Sequence, residues 1–132
     1  MKIDGEVKTG LGKGSFFISQ EFYSNEFRKN LGFVPYPGTL NVVVSDEYLD
    51  DINEIKDNCQ NIIEPDEGFG AVKYIEAVLN DKVNGAIVFP AKTVHDVNYL
   101  EFIAEIGLRD ELGLEDGDIV SLEFWYHKVF YT

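Results

Sequence analysis

The sequence has little of what disulfide bonds and zinc sites require. Its 132 residues include one cysteine, Cys59, and two histidines, His95 and His127, which lie far apart in the chain. A single cysteine cannot form a disulfide within the chain, and structural zinc sites draw four ligands mainly from Cys and His. These scarcities exclude a disulfide scaffold and a Cys/His zinc cluster within this sequence.

Long apolar runs are also missing. No run approaches the ~18 apolar residues that a membrane-spanning helix needs, and residues 1–4, MKID, do not begin a signal peptide. The sequence contains no internal repeat, linker or low-complexity tract. We therefore expect a cytoplasmic protein with a single domain over residues 1–132.

Positive charge is scarce as well. The chain has 11 basic and 24 acidic residues, which gives a net charge of −13. Such a surface repels the phosphate backbone of nucleic acids and anionic membranes, so we expect neither as a partner. An anionic nucleotide would need a local patch of donors or a metal ion. We expect the protein to act as a monomer.

Two stretches have the apolar spacing of a helix. Residues 21–31 place Tyr23, Phe27 and Leu31 on one stripe, and Gly32 follows as a helix-ending residue. Residues 46–58 form the second stretch, for which Asp46 is a suitable N-cap. Both helices are predicted to pack an apolar face on the core.

Apolar runs and period-two alternation predict most of the remaining chain to be strands. The predicted strands are residues 1–9, 16–18, 39–44, 62–63, 71–79, 85–89, 99–103 and 118–130. A turn is expected at residues 80–85, and a short helix at residues 108–112. Many short strands without a β-α-β rhythm indicate a mainly β fold, a small barrel with a few short helices.

The stretch LGFVPYPGTLNVVV, residues 31–44, carries two polar residues on a predicted strand. Thr39 and Asn41 are two residues apart, so they point to the same face with Cα atoms roughly 6.5–7 Å apart. Both offer a neutral oxygen of the kind that Mg²⁺ accepts, with water and phosphate completing its shell. The alternative is that Thr39 bonds the turn backbone and Asn41 caps a loop.

A glycine-rich segment, GLGKGS at residues 10–15, lies between the first two predicted strands. Its alternate glycines let backbone N–H groups approach an anion, and Lys13 adds a positive charge. The spacing matches neither the dinucleotide fingerprint nor the P-loop, because a strand follows the glycines. A glycine-rich hairpin without a ligand is the alternative.

A second polar group lies near the end of the sequence. Glu101 is a carboxylate between apolar neighbours and is a candidate hydrogen-bond acceptor or general base. Arg109 opens the short helix, where it and the free backbone N–H groups suit a phosphate or a base edge. An outward-facing strand glutamate, a surface arginine and a surface His95 are the alternatives.

Taken together, four strings resemble the archaeal riboflavin kinases that use CTP in place of ATP. They are GLGKGSFFIS, LGFVPYPGTLNV, KTVH and LEFIAEIGLRDELGLEDGDIV, and the resemblance covers essentially the whole chain. It implies a six-stranded cradle-loop β-barrel. It also implies Mg²⁺ on Thr39 and Asn41, and flavin contacts from Thr93 and Glu101. The implied nucleotide-binding residues are Gly10, Leu11, Gly12, Lys13, Gly14, Ser15, Ile106, Gly107, Leu108 and Arg109.

The implied reaction transfers the γ-phosphoryl group of CTP to the 5′-hydroxyl of riboflavin and gives FMN and CDP. Glu101 is then the catalytic candidate, although the loose transition state of phosphoryl transfer favours a role in flavin binding alone. The rival functions are a non-catalytic flavin- or nucleotide-binding barrel and a structural barrel that engages a protein through its acidic face. Thr39 and Asn41 favour the enzyme, because a binding module does not need a metal pair.

Overall fold

Strands dominate the part of the chain that the structure describes, as the sequence predicts. The computed structural model describes residues 1–10, 20–64, 66, 68–90 and 98–125. The predicted strand at residues 16–18 lies outside the described residues. The described elements are β1 (Lys2–Lys8), α1 (Glu21–Leu31), β2 (Leu40–Val44), a 3-10 helix (Asp46–Tyr48), α2 (Leu49–Asn58), β3 (Ile62–Ile63), β4 (Val72–Leu79), β5 (Val83–Pro90), β6 (Tyr99–Ala104), α3 (Leu108–Leu112) and β7 (Ile119–Glu123).

Six antiparallel strands close into a barrel. Their order is β4-β5-β6-β2-β1-β7, and β7 returns to β4 through the pairs Val78↔Glu123 and Leu79↔Leu122. The two-residue β3 adds to the first residues of β4 and stays outside the ring. This closure confirms the predicted six-stranded barrel and removes the free edges that would otherwise invite pairing with other chains.

Two apolar clusters fill the inside and one outer face of the barrel. The interior cluster takes residues from each of the six barrel strands, such as Leu40 and Val42 of β2. Ile52 and Ile55 of α2 join it. The second cluster packs Tyr23 and Phe27 of α1 against the outer face of the sheet. Helix α1 is therefore held by its apolar stripe, as predicted.

Gly32 ends α1 for the reason expected from the sequence. Its φ of +83° is in the left-handed region that glycine adopts without strain, and its N–H donates to the carbonyl of Arg28. The structure differs at the second helix, where Asp46 is not the N-cap. The chain first forms a 3-10 turn in which the N–H of Tyr48 donates to the carbonyl of Ser45 at 3.0 Å. This backbone bond replaces a side-chain cap.

The hairpin between β4 and β5 is tighter than the predicted turn at residues 80–85. Asn80 and Asp81 have φ values of 51° and 58°, so these two residues reverse the chain directly. Strand β5 therefore begins at Val83, earlier than predicted, and Gly85 lies inside it, opposite Ala104. A Cβ atom there would collide with the carbonyl oxygen of Ile103 and the ring of Phe102. Gly85 is thus needed for close approach of two strands.

Smaller differences occur at the strand ends. Thr39 precedes β2 instead of beginning it, and β7 ends at Glu123, whereas the sequence predicts a strand through residue 130. Residues 126–130 lie outside the described part of the chain. No helix among the described residues is long and apolar enough to span a membrane.

Replacing Gly85 with alanine should lower the free energy of unfolding by about 1–3 kcal/mol, because the added methyl group would overpack the β5–β6 contact. Urea unfolding followed by circular dichroism measures this change. The matched control is Asn84→Ala, at the exposed neighbour on the same strand, for which we expect less than ~0.5 kcal/mol. Equal stabilities of the two variants would contradict the close approach.

Candidate functional site

Two buried polar residues face each other across neighbouring strands. Asn41 of β2 pairs with Glu101 of β6 in the antiparallel register, and the two are 8% and 7% exposed. Their strand neighbours Leu40 and Phe102 point into the barrel interior. Because side chains alternate along a strand, Asn41 and Glu101 lie on the outer face. Glu101 thus faces outward, as in the alternative of an outward-facing strand glutamate, but its side chain is buried.

Thr39 joins this pair from the residue before β2. Its hydroxyl donates a hydrogen bond to Oε1 of Glu101 at 3.2 Å. A threonine hydroxyl has one proton to donate and two lone pairs, so this bond leaves its oxygen able to accept or to coordinate. Thr39, Asn41 and Glu101 therefore bring a hydroxyl, an amide and a carboxylate together.

The amide oxygen of Asn41 is not satisfied within the described part of the chain. Oδ1 is buried and has no hydrogen-bond partner among the described residues. Leaving such a buried oxygen unpaired costs ~1–3 kcal/mol, so a further donor or a cation is needed to satisfy it. A cation would suit this oxygen, the neighbouring hydroxyl and the carboxylate. No cluster of three His, Cys, Asp or Glu suited to a metal occurs among the described residues.

Gly10 packs directly on this group. It follows the end of β1, and a Cβ atom at this position would collide with Nδ2 of Asn41. The glycine thus allows the backbone at residue 10 to approach Asn41 closely. The other predicted residues of this segment, Leu11, Gly12, Lys13, Gly14 and Ser15, lie outside the described residues, as do Thr93 and His95.

A cleft of about 270 Å³ opens beside Thr39. The predicted nucleotide-binding residues Ile106, Gly107, Leu108 and Arg109 all line it, together with Tyr36 and Thr39. The structure therefore brings Thr39 and the segment 106–109 to one cleft.

Tyr36 shapes this cleft and was not singled out from the sequence. Its N–H donates to the carbonyl of Ala104 at 2.8 Å, and its ring lies so close to Gly107 that a Cβ atom there would be 3.0 Å from it. The PYPG turn could have indicated a fixed aromatic ring. Its proximity to residues 106–109 depends on tertiary structure.

Arg109 is a partly exposed arginine, as in the alternative of a surface arginine, and it is paired. Its Nη2 donates to Oδ1 of Asp116 at 2.6 Å, and the hydroxyl of Thr9 donates to Oδ2 of the same carboxylate at 2.6 Å. These hydrogen bonds lower the pKa of Asp116 below its usual value, and the bond from Thr9 has a larger effect than the bond from Arg109. Asp116 therefore stays ionised to a lower pH than an isolated aspartate.

Comparison with known proteins gives the family. Residues 7–124 match the family model CTP-dep_RFKase, described as "Domain of unknown function DUF120". The chain is 70% identical over 124 residues to the riboflavin kinase of Methanobrevibacter smithii, which covers 94% of this chain and 100% of that protein.

Two further relatives extend this match. The riboflavin kinase of Methanothermobacter thermautotrophicus is 45% identical over 117 residues, with 89% of this chain and 93% of that protein covered. That of Archaeoglobus fulgidus is 41% identical over 127 residues, with 93% and 54% covered. The resemblance noted from the sequence is confirmed: this chain belongs to the family of archaeal CTP-dependent riboflavin kinases.

Proposed function

We propose that the residues around Thr39, Asn41 and Glu101 perform the reaction of this family, transfer of the γ-phosphoryl group of CTP to the 5′-hydroxyl of riboflavin. The products are FMN and CDP. The observation that carries this function is the match to a riboflavin kinase over the whole length of that relative. The chain is an enzyme of the kinase class, and CTP as the donor follows from the family.

Mg²⁺ is the cation that we propose for the Thr39 and Asn41 oxygens. Oδ1 of Asn41 is buried without a partner among the described residues, and the Thr39 hydroxyl directs its proton to Glu101. Both oxygens are hard, neutral ligands of the type that Mg²⁺ accepts, and the nearby carboxylate adds negative charge. When bound, the ion would neutralise charge on the phosphate oxygens.

Glu101 is suited to hold the acceptor hydroxyl of riboflavin. The sequence favoured a role in flavin binding alone, but Glu101 lies opposite Asn41 and accepts the hydrogen bond of Thr39. This position beside the proposed cation ligands supports a role of Glu101 in the phosphoryl-transfer step. We propose that its carboxylate accepts a hydrogen bond from the 5′-hydroxyl, orients it, and takes its proton as the new bond to phosphorus forms.

The nucleotide would lie between the two segments assigned from the resemblance, residues 10–15 and 106–109. Gly10, the first residue of one segment, packs on Asn41, and residues 106–109 of the other line a cleft together with Thr39. Arg109 brings a guanidinium group to the cleft, where it is paired with Asp116. We propose that Thr93 joins Glu101 in binding riboflavin.

We further propose that the enzyme is a cytoplasmic monomer that binds neither nucleic acid nor membranes. The net charge of −13 supports this proposal, because like-charged surfaces repel one another and repel anionic polymers. Its partners are then the small molecules riboflavin, FMN, CTP and CDP.

Incubation with riboflavin, Mg²⁺ and each of the four nucleoside triphosphates tests the function directly. We expect FMN, separated by chromatography, to form with CTP and only slowly with ATP, GTP or UTP. FMN formation with ATP but not with CTP would show that the nucleotide preference of the family does not extend to this chain. No FMN with any nucleotide would contradict the function.

Substituting Asn41 with alanine should lower the turnover number by ~10²-fold or more, because a pre-positioned oxygen at the reacting phosphate is lost. Asn41 faces outward from the barrel, so the fold should persist. Asn41→Asp keeps an oxygen at the same place and should retain Mg²⁺-dependent activity. If Asn41→Ala had the same turnover number and the same Mg²⁺ dependence as the wild type, the cation assignment would be contradicted.

Substituting Glu101 with glutamine keeps an oxygen that can accept the Thr39 hydrogen bond but removes the basicity. We expect the turnover number to fall ~10²–10⁴-fold with little change in the KM for riboflavin. Steady-state kinetics with riboflavin varied at saturating CTP measures both quantities. Glu76→Gln, at an exposed position on β4, is the matched control. A raised KM at unchanged turnover would instead assign Glu101 to flavin binding alone.

A further inference from the structure

The turn at residues 113–118 is held firmly between β1 and α3. The N–H of Leu114 donates to the carbonyl of Arg109 at 2.9 Å. The N–H of Gly117 donates to the carbonyl of Val7 at 2.8 Å, and the N–H of Val7 donates to the carbonyl of Asp118 at 2.8 Å. These backbone bonds fix the turn to both neighbours.

Asp116 lies in this turn and uses its two carboxylate oxygens on different segments. Oδ2 accepts from the Thr9 hydroxyl and Oδ1 from the Arg109 guanidinium, each at 2.6 Å. Thr9 immediately precedes Gly10, which packs on Asn41. One carboxylate therefore connects Thr9, the residue before the segment 10–15, with Arg109, the last residue of the segment 106–109.

We propose that Asp116 is a positioning residue for the nucleotide: by holding Thr9 and Arg109 together, it sets the separation of the two segments that bind CTP. This inference rests on the proposed function, in which residues 10–15 and 106–109 share the nucleotide. Arg109 has five N–H donors in a rigid plane, so the bond to Asp116 fixes the direction of those that remain.

The bridge has more effect on the positions of these side chains than on stability. The Arg109 and Asp116 side chains are 40% and 48% exposed, and ion pairs at such positions contribute little to the free energy of folding. Loss of the bridge would leave the barrel folded and let Thr9 and Arg109 take other conformations. The cost would then fall on CTP binding.

Charge alone predicts the opposite result. Asp116 is an anion near the proposed site of a triphosphate, so removing its charge would tighten CTP binding if electrostatic repulsion were its main effect. Weaker CTP binding after this change therefore reports loss of positioning.

The test compares Asp116→Asn with Asp81→Asn. Asp81 forms an exposed ion pair with Lys2 at 3.1 Å, so the control removes the same charge and also breaks a surface pair. We expect the KM for CTP to rise about tenfold in Asp116→Asn, a loss of ~1.4 kcal/mol. The KM for riboflavin and the Tm should stay close to those of Asp81→Asn.

Thr9 provides a second, independent measurement. Thr9→Val removes the hydroxyl donor at nearly constant shape and should raise the KM for CTP, whereas Thr9→Ser keeps the donor and should restore most of the lost affinity. Unchanged CTP affinity in both Asp116→Asn and Thr9→Val overturns the proposal. A lower Tm together with similar increases in the KM values for CTP and riboflavin also overturns it, because that pattern indicates a structural role.

Calorimetric titration of the protein with CTP in the presence of Mg²⁺ separates this inference from the proposed function. If the wild type binds CTP but forms no FMN, the function fails, and weaker CTP binding by Asp116→Asn still supports the positioning role. If the wild type forms FMN and the variants bind CTP as it does, the positioning role fails and the function stands.

Discussion

The antiparallel register between β2 and β6 is the constraint on which the site depends. It places Asn41 opposite Glu101 and lets Thr39 reach the same carboxylate. A sheet holds such pairs at fixed separation, because backbone hydrogen bonds set the strand spacing. The barrel closes through the β4–β7 contact, so this pair of strands lies within a ring without a free edge at that point. Rigid placement of polar groups is what phosphoryl transfer chiefly requires.

The sequence predicted those features of the site that follow from local geometry. Strand alternation placed Thr39 and Asn41 on one face, and Asn41 is indeed buried beside a carboxylate to which Thr39 donates. The burial of Glu101 was not predictable in this way. It depends on which strand lies next to β2 and which residue stands opposite Asn41, and neither property can be read from the residues around Glu101.

The same division applies to the fold. Helix α1 has the predicted bounds, because its apolar stripe and Gly32 are local signals. From its neighbours, Gly85 was predicted to end a turn and begin a strand, whereas a glycine is required there because β6 approaches closely. Asp116 stood in a glycine-containing turn with no recognisable role, since its partners Thr9 and Arg109 come from elsewhere in the chain.

Strand β2 carries two separate sets of residues, one for the interior and one for the site. Leu40, Val42 and Val44 belong to the apolar interior, while Asn41 points outward, and its side-chain oxygen has no partner in the described part of the chain. Changes of interior residues can therefore alter stability and leave the proposed site residues in place. An insertion or deletion of one residue exchanges the two sets and turns the amide into the core. During divergence, this strand can accept many substitutions but no change of length.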